Sequence, residues 1–535
     1  MFNNFLRLYH TVKYLKIQQI FWRFFNLFPR YTLNEKICPE KNIITFLEIP
    51  QNGITYDYDS FKFLGEEHKI SKVGWDYSLL SKLWRYNLHY FDFLRQEVNS
   101  KESIELQKNI ISKWVIDNPV GKGTGWEPYP TSLRIVNWIK WDFKTSALNE
   151  ESKLSLWKQI LWLADRLEYH ILGNHLFVNS KALLFASYYF GLDEFSSIHR
   201  VALKILNKEL KEQFLRDGAH FELSPMYHAL AMEDLLDLYQ LKSPKLNEEI
   251  KVKFNNGMNW LSLMKYENDE LSHFNDCANG IAPRFKELEE LGIRLGLKSR
   301  LTCQKIFTHL MESGFVVFKD RIIHLIADLG QIGPDYIPAH AHADTLSFEL
   351  AINGVRLIVN SGTSSYELSD ERLRQRSTSA HSTIEVDGQS SSEVWSSFRV
   401  ARRALVSSIE KINNKESVQF SAIHDGYTRL VSRPKHKRMW KIYDKYIEIF
   451  DELSGVDNKV QLRFYLHPDI IIESMDGELV LSTITGKLGT INTNHYVEII
   501  STTYHEKFGL HQKNKCLLMT GITPFSSKVT INWNL

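Results

Sequence analysis

The hydrophobic pattern of this 535-residue chain changes near residue 300, and this change limits the folds that it can adopt. From about residue 77 to residue 297 the apolar residues recur at the spacing of amphipathic helices, as in the segment 157–167. After Cys303 the chain consists of short runs rich in Val, Ile, Thr and Tyr, separated by Asn-Gly and Asp-Gly turn signals. The pattern therefore predicts a helical domain over residues 1–305, followed by an antiparallel β-sandwich over residues 306–535.

Charge and cysteine content argue against several classes of protein. The formal net charge is +2 at pH 7, so the chain has no global field that would attract nucleic acid, and an acidic ligand must be held by a local group of basic residues. The four cysteines, Cys38, Cys277, Cys303 and Cys516, are too few and too scattered for a disulfide framework or a zinc knuckle.

The first thirty residues combine aromatic side chains with regularly spaced basic ones. The basic residues are Arg7, Lys13, Lys16, Arg23 and Arg30. They interrupt every apolar run, so neither a signal-peptide core nor an integral membrane span is predicted, and the sequence favours the cytoplasm. We interpret the segment as an amphipathic helix that packs on the domain behind it, with a role at a membrane surface as the alternative.

The segment 339–344, Ala-His-Ala-His-Ala-Asp, places three metal- or proton-binding residues at alternate positions. Alternate residues of an extended strand point to the same side, so His340, His342 and Asp344 are predicted to share one face of a strand. A third histidine, His381, precedes a further strand-like run. One histidine on a strand face is usually a structural residue, but a pair at this spacing with a third downstream favours a functional or metal site.

Two motifs in the helical half carry further candidates. Asn174 and His175 stand where a loop enters an apolar helix, a position at which asparagine commonly caps the helix and histidine is commonly structural. Ser224 and Pro225 are a good N-cap and a good first helical residue, which places Tyr227 near the positive end of the helix dipole. A phenolate would be favoured there, although an ordinary packing role explains Tyr227 equally well.

In combination, these motifs resemble the heparinase II/III-like family of polysaccharide lyases. The resemblance rests on Gly173-Asn174-His175, Ser224-Pro225-Met226-Tyr227-His228, the segment 338–344 and Ala380-His381-Ser382-Thr383. It implies an incomplete (α/α) toroid of the alginate lyase type joined to an antiparallel β-sandwich, with the active site in the cleft between them. It also makes the periplasm the alternative to the cytoplasm, and an acidic polysaccharide or oligosaccharide the expected partner.

Lyases of this family cleave the bond at the 4-position of a uronic acid by β-elimination. The resemblance implies that Asn174 and His175 neutralise the substrate carboxylate, a task in which each positioned donor contributes about 3–4 kcal/mol elsewhere. Tyr227 matches the catalytic acid and base of the family. His340 matches a histidine that acts as a second base from the opposite face of the sugar.

The resemblance further implies one structural zinc ion in the β-sandwich. His342 and His381 match two of its ligands, and the third falls at Asn360, where related sequences typically carry aspartate. A neutral amide is a poorer zinc ligand than a carboxylate, so weak binding, recruitment of Asp344, and a metal-free site held by hydrogen bonds are all open. Val178 stands where the family often has glutamate, which is expected to alter a contact to the histidine at the helix start.

An acidic polysaccharide requires basic and aromatic side chains along its path. Candidates close in sequence to the motifs are Arg85, Arg134, Asn137, Tyr366, Arg372 and Arg376. Arg134 is the strongest of them, because Asn137 lies on the same face of the predicted helix and nearby aromatic residues can stack on sugar rings. A structural salt bridge is the alternative role for Arg134.

Two other functions compete with this assignment. The His-x-His-x-Asp pattern also occurs in metallo-β-lactamase-like hydrolases, but a histidine usually follows it there, and Thr345 occupies that position here. The stronger competitor is a family member that binds or remodels a bacterial surface polysaccharide without cleaving it, which the change at Asn360 favours. The complete set of four candidate catalytic residues favours catalysis.

Overall fold

A computed structural model describes the chain over residues 2–28, 40–42, 45–50, 56–57, 59–96, 100–297, 307–413, 416–475 and 478–533. The predicted domain boundary between residues 305 and 306 lies outside these residues, so its position stays a prediction. Arg30, Cys38 and Cys303 lie outside them as well.

Helices dominate the described chain up to residue 297. They are α1 (Phe2–Val12), α2 (Ile17–Phe25), α3 (Ile70–Val73), α4 (Lys82–Tyr90), α5 (Lys101–Asp117), α6 (Pro128–Thr145), α7 (Glu150–Ala164), α8 (Gly173–Tyr189), α9 (Ser197–Gln213), α10 (Pro225–Gln240), α11 (Asn247–Leu263) and α12 (Phe285–Arg294). Because α8 packs against both α6 and α9, it is buried on nearly every side. Within the described ranges no helix is both long and apolar enough to cross a membrane.

A small antiparallel sheet, which the sequence analysis missed, precedes the main helices. Its strands are β1 (Tyr56–Asp57), β2 (Ser60–Phe63) and β3 (Glu66–Lys69). The alternation in β2 buries Phe61 and Phe63 in the helical core and exposes Lys62 between them. The run is too short for its period of two to stand out beside the long helical pattern.

Strands are the main regular structure of the described chain after residue 307. The strands are β4 (Phe307–His309), β5 (Phe315–Lys319), β6 (Ile323–Asp328), β7 (Phe348–Ile352), β8 (Val355–Ile358), β9 (Ile384–Val386), β10 (Val394–Trp395), β11 (Arg399–Val400), β12 (Val406–Asn413), β13 (Val418–His424), β14 (His436–Ile442), β15 (Tyr446–Leu453), β16 (Lys459–Tyr465), β17 (Ile471–Met475), β18 (Glu478–Thr483), β19 (Gly486–Thr493), β20 (Glu498–Tyr504), β21 (Gln512–Ile522) and β22 (Phe525–Asn532). In the described part of this half, they are interrupted by the short helix α13 (Asp370–Arg376) and by a 3₁₀ turn (Thr378–Ala380).

The strands form layered antiparallel sheets around a second hydrophobic core. The largest sheet has the order β12-β13-β14-β15-β22-β19-β18-β17, and smaller sheets have the orders β4-β5-β6-β7-β8 and β20-β21-β16-β9. Strand β14 shows the expected alternation, since its buried residues, Trp440 among them, point into the core while their neighbours are partly exposed. The predicted antiparallel β-sandwich is confirmed.

The helical and β halves meet where the loop after α11 crosses the loop between β6 and β7. The backbone N–H of Asp276 donates to the carbonyl oxygen of His340 at 3.0 Å. The backbone N–H of His342 donates to Asn275 Oδ1, also at 3.0 Å. These two bonds fix the histidine-bearing loop against the helical half and bring the predicted site residues together.

Candidate active site

Tyr227 is held in the first turn of α10. Ser224 Oγ accepts a hydrogen bond from the backbone N–H of Tyr227 (3.3 Å) and donates one to the carbonyl oxygen of Asp276 (2.6 Å). Pro225 is the first helical residue. The predicted helix start is therefore confirmed, and Ser224 also ties it to the loop that carries Asp276.

The Tyr227 side chain lies in a cluster of rings. Its ring stacks on the imidazole of His340 with the centroids 3.9 Å apart, and its hydroxyl lies 2.9 Å from the hydroxyl of Tyr366. Burial raises the pKa of Tyr227 well above its ordinary value, so the residue is a neutral phenol at rest. Burial and the neighbouring Tyr366 thus oppose the phenolate that the start of α10 was predicted to favour.

Asn174 and His175 occupy the first turn of α8. The residue before this helix, Leu172, has a φ of 70° and its side chain caps nothing, so the helix starts without an asparagine N-cap. His175 Nδ1 lies 3.0 Å from Glu168 Oε1. Burial lowers the pKa of His175, but the Glu168 and Glu222 carboxylates raise it, and the net pKa lies above the ordinary value. The protonated form of the imidazole at the start of α8 is therefore favoured.

Glu168, which the sequence analysis missed, is itself held firmly. Asn179 donates from Nδ2 to Glu168 Oε2 at 3.0 Å, and Asn179 Oδ1 accepts from the backbone N–H of Glu168 at 2.8 Å. Val178 is buried one turn away. The carboxylate that orients His175 thus comes from the loop before α8 rather than from position 178.

A second carboxylate that the sequence analysis missed, Glu222, lies between the start of α8 and the histidine loop. Its side chain is buried, and it accepts a hydrogen bond from the backbone N–H of Asn174. Glu222 Oε2 lies 3.9 Å from His340 Nε2 and has no hydrogen-bond partner among the described residues. Burial raises the pKa of Glu222. In the sequence, the only indication of a role for Glu222 was its position two residues before Ser224, the N-cap of α10.

Asp276, also missed, is the centre of the site. Its fully buried carboxylate accepts hydrogen bonds from His340 Nδ1 (3.0 Å), His342 Nε2 (2.9 Å) and both terminal nitrogens of Arg372. Burial alone would raise the pKa of Asp276, but the Arg372 guanidinium and the two imidazoles hold it well below its usual range. The ionised carboxylate fixes the histidine tautomers, so His340 keeps the lone pair of Nε2 free.

His340, His342 and Asp344 lie on an irregular loop between β6 and β7, and the prediction of one shared strand face is wrong. Pro334 and Pro338 precede them and lack the N–H that a strand ladder requires. The two imidazoles converge because both bond to Asp276. Asp344 instead lies beside Asp328. Burial and the nearby Asp344 carboxylate both raise the pKa of Asp328.

The three predicted metal ligands do lie together. The rings of His342 and His381 have centroids 5.3 Å apart, and His381 Nδ1 lies 2.8 Å from Asn360 Oδ1. Burial lowers the pKa of His342 to about 4 and that of His381 well below its ordinary value, so both are neutral. Within the described part of the chain, His342 Nδ1 and His381 Nε2 have no hydrogen-bond partner.

This cluster fits a zinc ion incompletely. Two imidazole lone pairs are available, but the third donor is a neutral amide whose oxygen already faces His381. The described residues contain no group of three His, Cys, Asp or Glu side chains that could hold a metal. Asp344 lies close to Asp328 and does not complete the set among the described residues.

Two of the predicted sugar-binding arginines are structural instead. The Arg134 guanidinium is fully buried, donates to Gln159 Oε1 (2.9 Å) and lies 3.9 Å from the centre of the Trp114 ring. Arg376 is also fully buried and donates to the carbonyl oxygen of Ala341, which fixes the histidine loop. Neither reaches a surface that a sugar can touch, which corrects the prediction.

Arg85 and Arg372 are also engaged within the protein. Arg85 donates to Asp76 Oδ1 (2.8 Å) and to Thr124 Oγ1 (3.0 Å). Arg372 is the buried partner of Asp276. Arg372 and Arg376 therefore order the site, whereas Arg85 is held by residues outside it.

A cavity of about 290 Å³ lies beside Tyr227, at the low end of the roughly 300–1,000 Å³ of typical ligand pockets. Asn137 and Tyr366, both predicted to contact sugar, line it. The aromatic wall also includes Tyr129, whose ring lies 4.4 Å from that of His175. The charged residues that line the cavity are Lys62, Arg95, Lys140, Lys181, Asp92, Glu233, Asp234 and Asp237.

The basic groups of this cavity are largely paired with its acidic ones. Asp237 bonds both Lys140 (2.7 Å) and Lys181 (2.6 Å), and Lys181 also bonds Asp234 (2.6 Å). With four basic and four acidic side chains in the lining, the formal charges cancel. The cavity is therefore polar without a strong net field.

Curated relatives with similar sequences are named as heparin-sulfate lyases. One from Bacteroides stercoris is 23% identical over 256 residues, which is 41% of this chain and 36% of the relative. One from Pedobacter heparinus is 30% identical over 143 residues, which is 24% of this chain and 21% of the relative. The aligned part of this chain thus spans about a third or less of their length.

Solved structures with the same fold include heparinase III, with a TM-score of 0.66 at 16% identity over 84% of this chain and 76% of that one. A heparan sulfate lyase mutant from Pedobacter heparinus has a TM-score of 0.61 at 16% identity over 88% and 80%. These neighbours confirm the predicted fold class, an incomplete helical toroid followed by an antiparallel β-sandwich.

Family models match most of the chain. The model described as the heparinase II/III N-terminus matches residues 49–283, and the model described as heparinase II/III-like, C-terminal, matches residues 304–534. The resemblance inferred from the motifs is confirmed. The chain belongs to the heparinase II/III family.

Proposed function

We propose that the chain is a polysaccharide lyase that cleaves a uronic-acid-containing polysaccharide by β-elimination. The observation that carries the proposal is the stack of Tyr227 on His340, with His340 oriented by the ionised carboxylate of Asp276. A neutral phenol and an imidazole lone pair lie side by side there. Such a pair provides an acid and a base within reach of one substrate.

The start of α8 is suited to neutralise the uronate carboxylate. The C5 proton of a uronate becomes acidic only when the adjacent carboxylate charge is screened. His175, whose pKa is raised by Glu168, supplies a cation, and the Asn174 amide supplies a neutral donor. The positive end of the α8 dipole adds to both, and each interaction stabilises the enolate-like intermediate.

In the proposed reaction, His340 Nε2 removes the C5 proton and Tyr227 donates its phenol proton to the oxygen that leaves C4. The C4–O bond breaks and a C4=C5 double bond remains, so the product carries a 4,5-unsaturated uronate. The elimination leaves His340 as an imidazolium and Tyr227 as a phenolate, and transfer of one proton from the imidazolium to the phenolate, directly or through solvent, restores both for the next cycle. No step requires a metal.

The contact between the two rings restricts the stereochemistry. No sugar ring fits between centroids that are 3.9 Å apart, so Tyr227 and His340 act from one side of the sugar. The proposal differs here from the expected action of His340 from the opposite face. It favours D-glucuronate or D-mannuronate, in which the C5 hydrogen and the C4 oxygen lie on the same face of the ring, over their C5 epimers.

The balance of acidic and basic side chains that line the cavity indicates how densely charged its substrate is. A densely sulfated chain gains most from a field of uncompensated basic groups, and here Lys140 and Lys181 are already paired with Asp234 and Asp237. The proposed substrate is therefore a uronate chain with few or no sulfates.

Purified protein should be tested on uronate polysaccharides by ultraviolet absorbance and mass spectrometry. The unsulfated and sulfated forms of one glucuronate chain give a matched pair, and a C5-epimerised form tests the stereochemistry. We expect absorbance from the unsaturated product to rise fastest with the unsulfated, unepimerised chain.

Two results would contradict the proposal. Products that carry an added water molecule would identify a hydrolase. Tight binding of these chains without any cleavage would identify the non-cleaving family member that competes with the lyase.

A further inference from the structure

The amino-terminal segment concentrates exposed apolar side chains to an unusual degree. Of the thirty-five large apolar residues that are exposed in the described chain, eleven lie between residues 5 and 28. They are Phe5, Leu8, Tyr9, Val12, Ile17, Ile20, Phe21, Phe24, Phe25, Leu27 and Phe28. We name these eleven residues the aromatic face. Single exposed apolar residues are normal on a protein surface, but a contiguous group of this size marks an interaction site.

The aromatic face follows from the helical period of two short helices. The predicted single helix is two, α1 and α2, separated by a turn around residues 13–16. Phe5, Leu8 and Val12 recur along one side of α1, and Ile17, Ile20, Phe21 and Phe24 recur along one side of α2.

The other sides of both helices are anchored to the protein body, α1 through Thr11 Oγ1, which accepts a hydrogen bond from Trp395 Nε1 (3.1 Å), and α2 through two further contacts. Gln19 is buried and donates from Nε2 to the carbonyl oxygens of Ile171 (3.0 Å) and Tyr336 (3.3 Å). The Trp22 ring stacks on Tyr169 with the centroids 4.9 Å apart. The packing predicted for this segment is confirmed on that side, and these anchors hold the aromatic face outward.

The charge of the segment is entirely positive. Residues 2–28 contain Arg7, Lys13, Lys16 and Arg23 and no Asp or Glu. Lys16 is paired with Glu212. Burial lowers the pKa of Arg23, and the positive charge of Arg399, which lies nearby in the β half, lowers it further. Basic groups therefore border the aromatic face.

We propose that the aromatic face docks the protein on an anionic phospholipid membrane surface. Helices of 11 and 9 residues are too short to cross a bilayer, but an aromatic face bordered by Arg and Lys is typical of helices that lie in the interface. A second copy of the chain is a poorer occupant. Pairing this face with itself would bring Arg7, Lys13 and Arg23, which have no acidic partner among the described residues, close to their own copies, whereas anionic headgroups complement them.

The full-length protein should be tested by co-sedimentation with vesicles. Equimolar phosphatidylcholine and phosphatidylglycerol provide the anionic surface, and phosphatidylcholine alone provides the neutral one. We expect binding to the anionic vesicles that weakens as salt is added, and at least about tenfold weaker partitioning to the neutral ones, since each basic residue near the surface contributes to attraction.

Two pairs of variants separate the apolar and the charged contributions. Phe21→Ser combined with Phe24→Ser should reduce binding at least about tenfold, because two exposed aromatic side chains no longer insert. Phe195→Ser, at an equally exposed phenylalanine far along the chain, is its control and should bind like the wild type.

The charge test uses Lys13→Gln combined with Arg23→Gln, against Lys487→Gln combined with Lys513→Gln at exposed positions of the β half. Only the variant with Lys13→Gln and Arg23→Gln should bind anionic vesicles more weakly.

Failure of the wild type to bind either kind of vesicle would overturn the proposal, as would unchanged binding of the variant with Phe21→Ser and Phe24→Ser. A concentration-dependent dimer that this variant dissociates, with no vesicle binding, would instead assign the face to a second copy of the chain.

Discussion

Replacement of Tyr227 by phenylalanine tests the centre of the proposed mechanism. Tyr227→Phe keeps the ring and its stack on His340 but removes the hydroxyl that donates to the leaving oxygen. Positioned acid–base catalysis contributes about 10²–10⁴-fold, which corresponds to about 2.7–5.4 kcal/mol of activation free energy. We expect turnover to fall by that factor on the best substrate of the panel.

The expected cost in stability is much smaller. The variant loses one hydrogen bond, the 2.9 Å contact with Tyr366, which contributes about 0.5–1.5 kcal/mol to the free energy of unfolding. Tyr366→Phe removes the same hydrogen bond from its other partner and leaves the Tyr227 hydroxyl in place, so it is a matched control. We expect the two variants to unfold at similar denaturant concentrations, while Tyr366→Phe keeps its turnover within about tenfold of the wild type.

Turnover is measured as the initial rise in ultraviolet absorbance at saturating substrate, and stability is measured by chemical denaturation. A Tyr227→Phe protein that unfolds like the wild type and still cleaves at more than about a tenth of its rate would refute the assignment. Loss of turnover in Tyr366→Phe alone would transfer the proton chemistry to Tyr366, whose hydroxyl lies 2.9 Å from that of Tyr227.

Three further predictions concern the groups around this stack. Asp276→Asn should lower the free energy of unfolding by about 3–5 kcal/mol, because a buried guanidinium loses its counter-charge, whereas Glu194→Gln in the exposed ion pair with Lys245 should cost less than about 1 kcal/mol. Equal losses in denaturation would contradict the central role of Asp276. Asn360→Asp should raise zinc content measured by elemental analysis, since a carboxylate completes the ligand set, and equal stoichiometric zinc in both proteins would remove the argument. Glu168→Gln removes the charge that raises the pKa of His175, so the loss of kcat/KM at high pH should move to lower pH, and an unchanged profile would exclude His175 as the titrating cation.

Local chemistry allowed much of the fold and the start of one helix to be predicted. The change from a period of 3.6 to a period of 2 depends on the residues themselves, and it correctly separated the helical and β halves. Ser224 and Pro225 act on the backbone beside them, so the placement of Tyr227 in the first turn of α10 was predictable. The pair of short helices at the amino terminus was predicted only as one helix.

The predictions that failed depend on contacts between segments far apart in the chain. The His340 segment was predicted as a strand because its residues alternate, but two prolines and the contact with Asp276 make it a loop. Burial decided the ionisation of Tyr227, and burial also turned Arg134 from a candidate sugar contact into a packing residue. Such effects depend on what surrounds a group, which the local sequence does not specify.

The sequence alone determined the family, the order of the two halves, and the residue types available for acid–base chemistry. Only the tertiary structure determined that Asp276, from the helical half, orients His340 and His342 from the β half, and that Glu168 and Glu222 border the start of α8. The physical reason is that pKa values and tautomers are set by desolvation and by charges within a few ångströms, and those neighbours are brought together by folding rather than by order along the chain.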